Sequence, residues 1–374
     1  MKTALITGIN GQDAAYLAHF LLSIGYRVIG GKRRTSGSSL WRLEKLGISG
    51  HDHLVIVDLD ITDFANCFRV VSEYRPDELY NLAAQSHVGL SFSQPEATAN
   101  TNATGVQNLL EVLRVTGCKT RFYQAGTSEM FGKVSQIPQT ESTGFYPRSP
   151  YGVSKLYAHW LAINYRESYD IFAACGILFN HESPLRTRDF VTRKITSGFA
   201  AIAAGRAQPV RLGNLNARRD WGYAQEYVVG MWKMLQASSP STYVLATNRT
   251  ETVREFARLS ASVIGVDLDF VGEGIAERGV DRRTGLVMVE IDESLYRFAE
   301  VDLLIGCADK AAQELKWVPR TTLEGLVELM MKSDLDELGV SAIPKRRGSV
   351  VAPKVIPPLH RPTGPKPLTS VSLA

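Results

Sequence analysis

The 374-residue chain is poor in cysteine, and its four cysteines, Cys67, Cys118, Cys175 and Cys307, form no CxxC pair. That spacing argues against a disulfide scaffold or a thiolate metal site and fits buried free thiols in a reducing compartment. Histidine is scarce too. The close pair His51 and His53 has neither a neighbouring cysteine nor a spaced acid to complete a ligand set, so no metal is expected. No apolar run approaches the roughly 18 residues needed to cross a bilayer. The opening Met1-Lys2-Thr3-Ala4-Leu5-Ile6 breaks at Gly8 and leads into a strand, turn and helix, so it reads as mature protein, with the cytoplasm as expected compartment. Acid is missing after Gly339-Val340, where Lys345, Arg346, Arg347, Lys354, Arg361 and Lys366 stand unopposed. Without those six charges the formal +4 becomes −2, so the basic balance belongs to the tail and supports no nucleic-acid binding by the folded part. Residues 341–374 also hold seven of the 16 prolines and no strand or helix period, and read as a disordered tail.

What is present has the balance of an ordinary globular protein, long enough for a large α/β domain and a smaller one. Residues 3–7 predict a strand, followed by a Gly-rich turn. A helix comes next, with Leu17, Phe20, Leu21 and Ile24 at helical spacing, ended by Gly25. Further strands are expected at 27–30, 54–57, 77–82, 121–125 and 171–179, with an amphipathic helix through 108–113. This alternation predicts a doubly wound, parallel, Rossmann-type sheet over residues 1–180. Its right-handed connections gather Gly8, Arg33, Asp60, Ala83 and Thr127 along one edge. Ser149-Pro150 is a cap and first turn for a helix whose expected apolar face holds Val153, Leu156, Tyr157, Trp160 and Leu161. Residues 181–338, with helices expected at 252–264 and 323–331, read as a smaller, mainly substrate-binding region, some of whose segments can return to the first domain.

The chemistry-bearing residues cluster on the sheet edge. Gly8-Ile9-Asn10-Gly11-Gln12-Asp13-Ala14 follows a strand and opens a helix, the context in which backbone N–H groups receive a dinucleotide pyrophosphate. After the second strand stands Lys32-Arg33-Arg34-Thr35-Ser36, with no acid until Glu44. A carboxylate there would suit NAD; the basic run predicts NADP, with Arg33 and Arg34 on the 2′-phosphate. Tyr151 and Lys155, four residues apart, share a helix face, and an ammonium beside a phenol favours the phenolate, making Tyr151 a base. Thr127, at a strand end, is placed to hydrogen-bond a reacting oxygen. Glu129, two residues on, suggests a proton transfer beyond simple oxidation.

Longer motifs narrow this. Tyr80-Asn81-Leu82-Ala83-Ala84-Gln85-Ser86, Thr127-Ser128-Glu129-Met130-Phe131-Gly132, Phe145-Tyr146-Pro147-Arg148-Ser149-Pro150-Tyr151-Gly152, Gly176-Ile177-Leu178-Phe179-Asn180-His181-Glu182-Ser183-Pro184, Phe190-Val191-Thr192-Arg193-Lys194-Ile195 and Arg218-Arg219-Asp220-Trp221-Gly222 accompany the glycine turn. In these the chain resembles the extended short-chain dehydrogenase/reductases and, within them, the GDP-mannose 4,6-dehydratases, over roughly residues 3–335. The resemblance implies an internal redox cycle. Tyr151, helped by Lys155 and Thr127, takes the O4 proton as C4 is oxidised. Glu129 removes the C5 proton and then protonates the departing C6 hydroxyl, and hydride returns to C6. It also implies that Gly8, Asn10, Gly11, Gln12, Asp13, Asp60, Ile61, Leu82, Ala83, Ala84, Ser86, His181 and Arg186 contact the cofactor. Ser86, Ser128, Glu129, Asn180, Val191, Lys194, Arg219 and Arg297 are implied to contact a GDP-sugar. A homodimer or homotetramer is implied as well, with the segment Thr35 to Arg42 at the interface. Departures stand at Gly126, where the family often has Ser, at Phe298 after Arg297 in place of Pro, along Gly272 to Asp292, and in the tail. They leave open a GDP-heptose substrate, or a same-fold reductase, epimerase or NADP-sensing protein.

Overall fold

A computed structural model describes residues 1–35, 40–206, 209–296, 301 and 303–340. Arg297, Phe298, the centre of the Thr35–Arg42 segment and the tail expected at 341–374 lie outside the described residues. The first half runs β1 (Thr3–Thr7), α1 (Gln12–Ser23), β2 (Arg27–Lys32), α2 (Trp41–Lys45), β3 (Leu54–Asp58), α3 (Phe64–Tyr74), β4 (Glu78–Asn81), α4 (Val88–Ser93), α5 (Pro95–Ala99), α6 (Gly105–Thr116), β5 (Arg121–Ala125), α7 (Pro150–Tyr169) and β6 (Ala173–Leu178). The second half continues with β7 (Asn180–Glu182), α8 (Val191–Ala203), β8 (Val210–Leu212), β9 (Arg218–Arg219), β10 (Trp221–Tyr223), α9 (Ala224–Gln236), β11 (Thr242–Leu245), β12 (Glu251–Thr252), α10 (Val253–Val263), β13 (Leu268–Val271), β14 (Arg278–Asp281), β15 (Val287–Ile291), α11 (Asp309–Leu315) and α12 (Leu323–Glu337).

Seven parallel strands lie in the order β3-β2-β1-β4-β5-β6-β11, flanked by helices on both faces: a doubly wound, Rossmann-type sheet. Strand order reverses between β1 and β4, and a crevice opens beyond the carboxyl ends of strands at such a switch point. All the strands but the half-buried edge strand β3 are buried on both faces, which explains their near-continuous apolar runs. β11 and α11 come from the second half of the chain, yet they pack on this sheet through Tyr243, Val244, Leu245 and Ala311. A separate apolar cluster joins α8, α10, α12 and the four-stranded sheet β13-β14-β15-β8 around Phe199, Phe256, Val289, Leu326 and Met330. Cys67 and Cys175 are buried, Cys118 and Cys307 half-buried, and all four are free thiols.

Two elements differ from expectation. On α7 the buried side is Tyr151, Lys155, Ala158, His159, Ala162 and Tyr165, while Val153, Tyr157 and Trp160 face outward at 56%, 46% and 55% exposure. The helix is apolar on two sides, and the small residues Ala158 and Ala162 let it lie close to the sheet. α12 continues to Glu337 because the acid that seems to interrupt its pattern, Asp334, is buried against Arg193 at 2.6 Å. The cap on α7 is as expected: the Ser149 hydroxyl accepts the Gly152 N–H at 3.0 Å, with Pro150 in the first turn. Gly132 holds the approach to this helix. Its φ is +53°, and a Cβ there would overlap the Tyr146 carbonyl.

Candidate active site

A cavity of about 700 Å³ opens over the carboxyl ends of β1, β4, β5 and β6. Its first wall is the glycine turn. Gly8 has φ +68°, and a Cβ there would stand 2.9 Å from the Ala83 Cα, so turn and β4 end approach at backbone distance. Gly11 caps α1 with no side-chain acceptor, which leaves the helix's first N–H groups available for an anion. Asn10, Gln12 and Asp13 complete this wall, and Leu82, Ala83, Ala84 and Ser86 continue it from β4.

The second wall carries Thr127, Ser128, Glu129, Tyr151 and Lys155. β5 ends at Ala125, and a single 3₁₀ turn, Ser128–Met130, begins with the Thr127 hydroxyl accepting the Glu129 N–H at 3.3 Å. That turn places Thr127 and Glu129 beside α7, where the Thr127 hydroxyl favours the ionised form of the Tyr151 phenol. Burial pushes Tyr151 up to about 12, with the Glu129 charge adding to the rise and Thr127 opposing it. Burial pulls Lys155 down to about 8. Its ammonium lies 6.0 Å from the Tyr151 ring and donates to the Ala125 carbonyl at 3.0 Å. The Tyr151 phenol is thus raised despite the ammonium expected to favour its phenolate, since desolvation is the largest effect on it.

The far wall gathers Asn180, His181, Arg186, Val191, Lys194 and Arg219. The Asn180 Oδ1 is buried and has no hydrogen-bond partner among the described residues. The Arg186 guanidinium stacks 3.5 Å from the Phe190 ring centre and lies 3.2 Å from Glu182. His181 Nδ1–H donates to the Phe179 carbonyl at 2.7 Å, and Nε2 meets the Asp13 carboxylate at 2.8 Å, so both ring nitrogens face acceptors. Burial draws the His181 pKa down, but the Asp13 charge and hydrogen bonds prevail and leave it raised. Asp13 is lowered in spite of burial, because His181 and Gln12 hydrogen-bond its charged form.

Four sequence candidates lie outside the cavity lining. Arg33 and Arg34 are exposed just beyond β2. Asp60 ties its own turn by accepting from the Thr62 N–H and hydroxyl, and Ile61 packs under α6, where it fills the space a Cβ on Gly105 would need. These residues follow β2 and β3, two strands to the side of the crevice. The Gly126 departure has a local reason: its N–H donates to the Gly176 carbonyl at 2.7 Å, and a Cβ would stand 2.6 Å from that oxygen.

Sequence reasoning missed Arg42. Its buried guanidinium donates to the Leu185 carbonyl and to the Asn10 carbonyl of the glycine turn, both at 2.7 Å, and stacks 4.4 Å from the Trp41 ring centre. Burial, with Arg186 and Arg193 nearby, lowers it to about 10. No periodicity marks a lone Arg in a five-residue helix. Replacing Arg42 with Met should loosen the turn and weaken cofactor binding at least tenfold, since the bond to the Asn10 carbonyl alone is worth roughly 1.5–3 kcal/mol. A fluorescence titration with the reduced cofactor measures this.

Comparison with known proteins decides the family. The family model described as GDP-mannose 4,6 dehydratase matches residues 5–330. The chain belongs to the GDP-mannose 4,6-dehydratase family. It is 51% identical over 342 residues to the GDP-mannose 4,6-dehydratase of Sinorhizobium fredii, covering 90% of this chain and 97% of that relative. It is 46% identical to the enzyme of that name from Cricetulus griseus, covering 90% and 92%. Among solved structures, a dTDP-glucose 4,6-dehydratase from Streptomyces venezuelae with NAD bound superposes with TM-score 0.75 at 20% identity, over 90% of this chain and 98% of that one. An RMD protein from Pseudomonas aeruginosa complexed with NADPH gives 0.71 at 19%, over 90% and 100%. At these identities the structures report the shared fold, and membership of the dehydratase family rests on the sequence relatives.

Proposed function

We propose that the chain is a hydro-lyase converting GDP-D-mannose to GDP-4-dehydro-6-deoxy-D-mannose and water, with a nicotinamide dinucleotide held in the cavity. The observation that carries this reading is the convergence of Thr127, Glu129 and Tyr151, a carboxylate beside the Tyr–Lys pair that alcohol oxidation alone does not require. The dinucleotide fits an uncapped helix N-terminus behind Gly8, which admits no side chain, and Gly11, where a Cβ would crowd the Gly8 carbonyl at 3.2 Å. When bound, it would supply the hydride acceptor for C4 and the hydride donor for C6. Tyr151 takes the O4 proton, and Thr127 steadies the oxygen where charge develops. Glu129 takes the C5 proton, made acidic by the adjacent C4 ketone, and delivers it to the C6 hydroxyl, which leaves as water; as hydride reaches C6, the proton that Tyr151 took from O4 goes to C5, restoring the C5 hydrogen and the phenolate. Lys155, anchored on the Ala125 carbonyl, fixes the Tyr151 side of the site and would hold the cofactor's ribose.

The finer assignments belong to the same proposal. The cofactor is NADP: Arg33 and Arg34 stand exposed after β2, with no acid before Glu44 to exclude a 2′-phosphate. Asp60 and Ile61 would hold its adenosine end, and the start of α1, His181 and Arg186 would hold its phosphates. Asn180, Val191, Lys194, Arg219 and Arg297 receive the GDP-sugar diphosphate. Residues 1–180 hold the cofactor and 181–338 mainly the substrate, with β11 and α11 supporting the first. The protein is cytoplasmic and a homodimer or homotetramer, its outward Val153, Tyr157 and Trp160, and Trp41 at 37% exposure, supplying apolar contact surface. Light scattering returning a monomer with cofactor bound would count against assembly.

Incubation with GDP-mannose without added reduced cofactor tests the activity. Loss of one water by mass spectrometry, with NADP released on denaturation, is the expected result. Water loss from a GDP-heptose alone would move the substrate and keep the chemistry; inertness toward both would overturn the reading.

A further inference from the structure

Three polar side chains sit where a parallel sheet normally packs apolar ones. Thr7, Asn81 and Gln124 are paired across β1, β4 and β5 and are at most 1% exposed. Their hydrogen bonds run in one direction, and that direction can be deduced. The Thr7 hydroxyl accepts the Leu82 and Ala83 N–H groups, each at 3.0 Å, so its own proton goes to the Asn81 Oδ1 at 2.7 Å. The Asn81 amide therefore turns its NH₂ to the Gln124 Oε1 at 3.0 Å, and Gln124 turns its NH₂ to the Ala125 carbonyl at 3.0 Å. That carbonyl is the acceptor of the Lys155 ammonium.

We infer that Gln124 is a positioning residue for Lys155, holding the Ala125 carbonyl to which the ammonium is anchored. The peptide plane between Ala125 and Gly126 is pinned at both ends, its oxygen by Gln124 and its N–H by the Gly176 carbonyl. Lys155 and Gln124 thus share one fixed acceptor, and the ammonium is held relative to Tyr151 one helical turn away. The row begins at Thr7, the residue before the glycine turn, so it also ties the turn to the catalytic wall. This role rests on the reading of Tyr151 and Lys155 above. Beyond the Ala125 carbonyl, the charged group acting on Lys155 is Asp13 from α1, while Glu129, Arg186 and Asp13 act on Tyr151.

The test is Gln124→Met, which keeps bulk and removes donor and acceptor. In wild-type holoenzyme, water loss from GDP-mannose is measured first across pH; its absence would count against the proposed function and leave the positioning role to a substrate on which the wild type acts. In the variant, kcat per bound cofactor should fall about tenfold with KM little changed. The acid limb of the kcat profile should move up by about one pH unit, because a displaced ammonium favours the phenolate less. A merely structural role would lower thermal stability and active fraction without moving the limb. If Gln124→Met fails to fold, Gln124→Asn retains the amide but withdraws it by one methylene, and the same upward shift is expected. An unmoved limb in a folded, cofactor-loaded variant overturns the inference.

Discussion

Glu129→Gln should reduce water loss from GDP-mannose by roughly 10³-fold, the scale of a lost general acid–base, while cofactor stays bound. Gln has the volume of Glu, so the nearly closed space at 9% exposure is kept. The backbone of the turn is held independently, by the Thr127 hydroxyl on the Glu129 N–H and by Gly152, whose absent side chain admits the Glu129 carbonyl. The two halves of the chemistry can therefore be separated. Oxidation at C4 needs Tyr151 but no base at C5, so Glu129→Gln should still develop reduced-nicotinamide absorbance on mixing with GDP-mannose. It should incorporate no solvent deuterium at C5. Tyr151→Phe should show neither signal. Full water loss in Glu129→Gln would remove this carboxylate from the mechanism.

The legible parts of this protein are those whose physics is local. A strand, a turn that must reach φ +68° at Gly8, and a helix opening at Gln12 are written within a dozen residues. Tyr151 and Lys155 share a face by helical spacing alone, and Ser149-Pro150 announces where their helix starts. What was not legible depends on distant packing. The outward turn of Val153, Tyr157 and Trp160 follows from how closely α7 approaches the sheet, which hydrophobic pattern does not encode. Burial of Asp334 against Arg193 hides the last turns of α12 behind an apparent polar break. Gln124 reads only as part of a strand until folding sets Asn81 beside it and gives it the Ala125 carbonyl to share with Lys155. The raised Tyr151 pKa is likewise a property of the closed cavity, and spacing from Lys155 could not reveal it.

Asp13→Asn should separate stability from cofactor binding. Asp13, in the first turn of α1, and His181, on β7, join the glycine turn to the second half of the chain at 2.8 Å. The side chains are 23% and 12% exposed, so losing this charge-assisted bond should cost about 1.5–3 kcal/mol. The pH dependence fixes the window. His181 is raised, so its contribution is whole below its unfolded value of 6.5 and is lost as pH climbs through the folded value. Asp13 is lowered, so its contribution is whole above 3.8 and is lost as pH falls through the folded value. The pair therefore stabilises most between those two unfolded values, and the variant's deficit in urea unfolding should be greatest there. Cofactor binding should respond differently. Asp13 lines the cavity beside the anion-receiving end of α1, where a protonated His181 offsets its charge most and Arg186 less. As pH rises and His181 loses its proton, a less compensated carboxylate is left facing the phosphates, so wild-type affinity for the dinucleotide should decline. Asp13→Asn has no such carboxylate, and its affinity should stay flat over the same range. A wild-type affinity equally flat would mean that the pair braces the fold and leaves the phosphates' field unchanged.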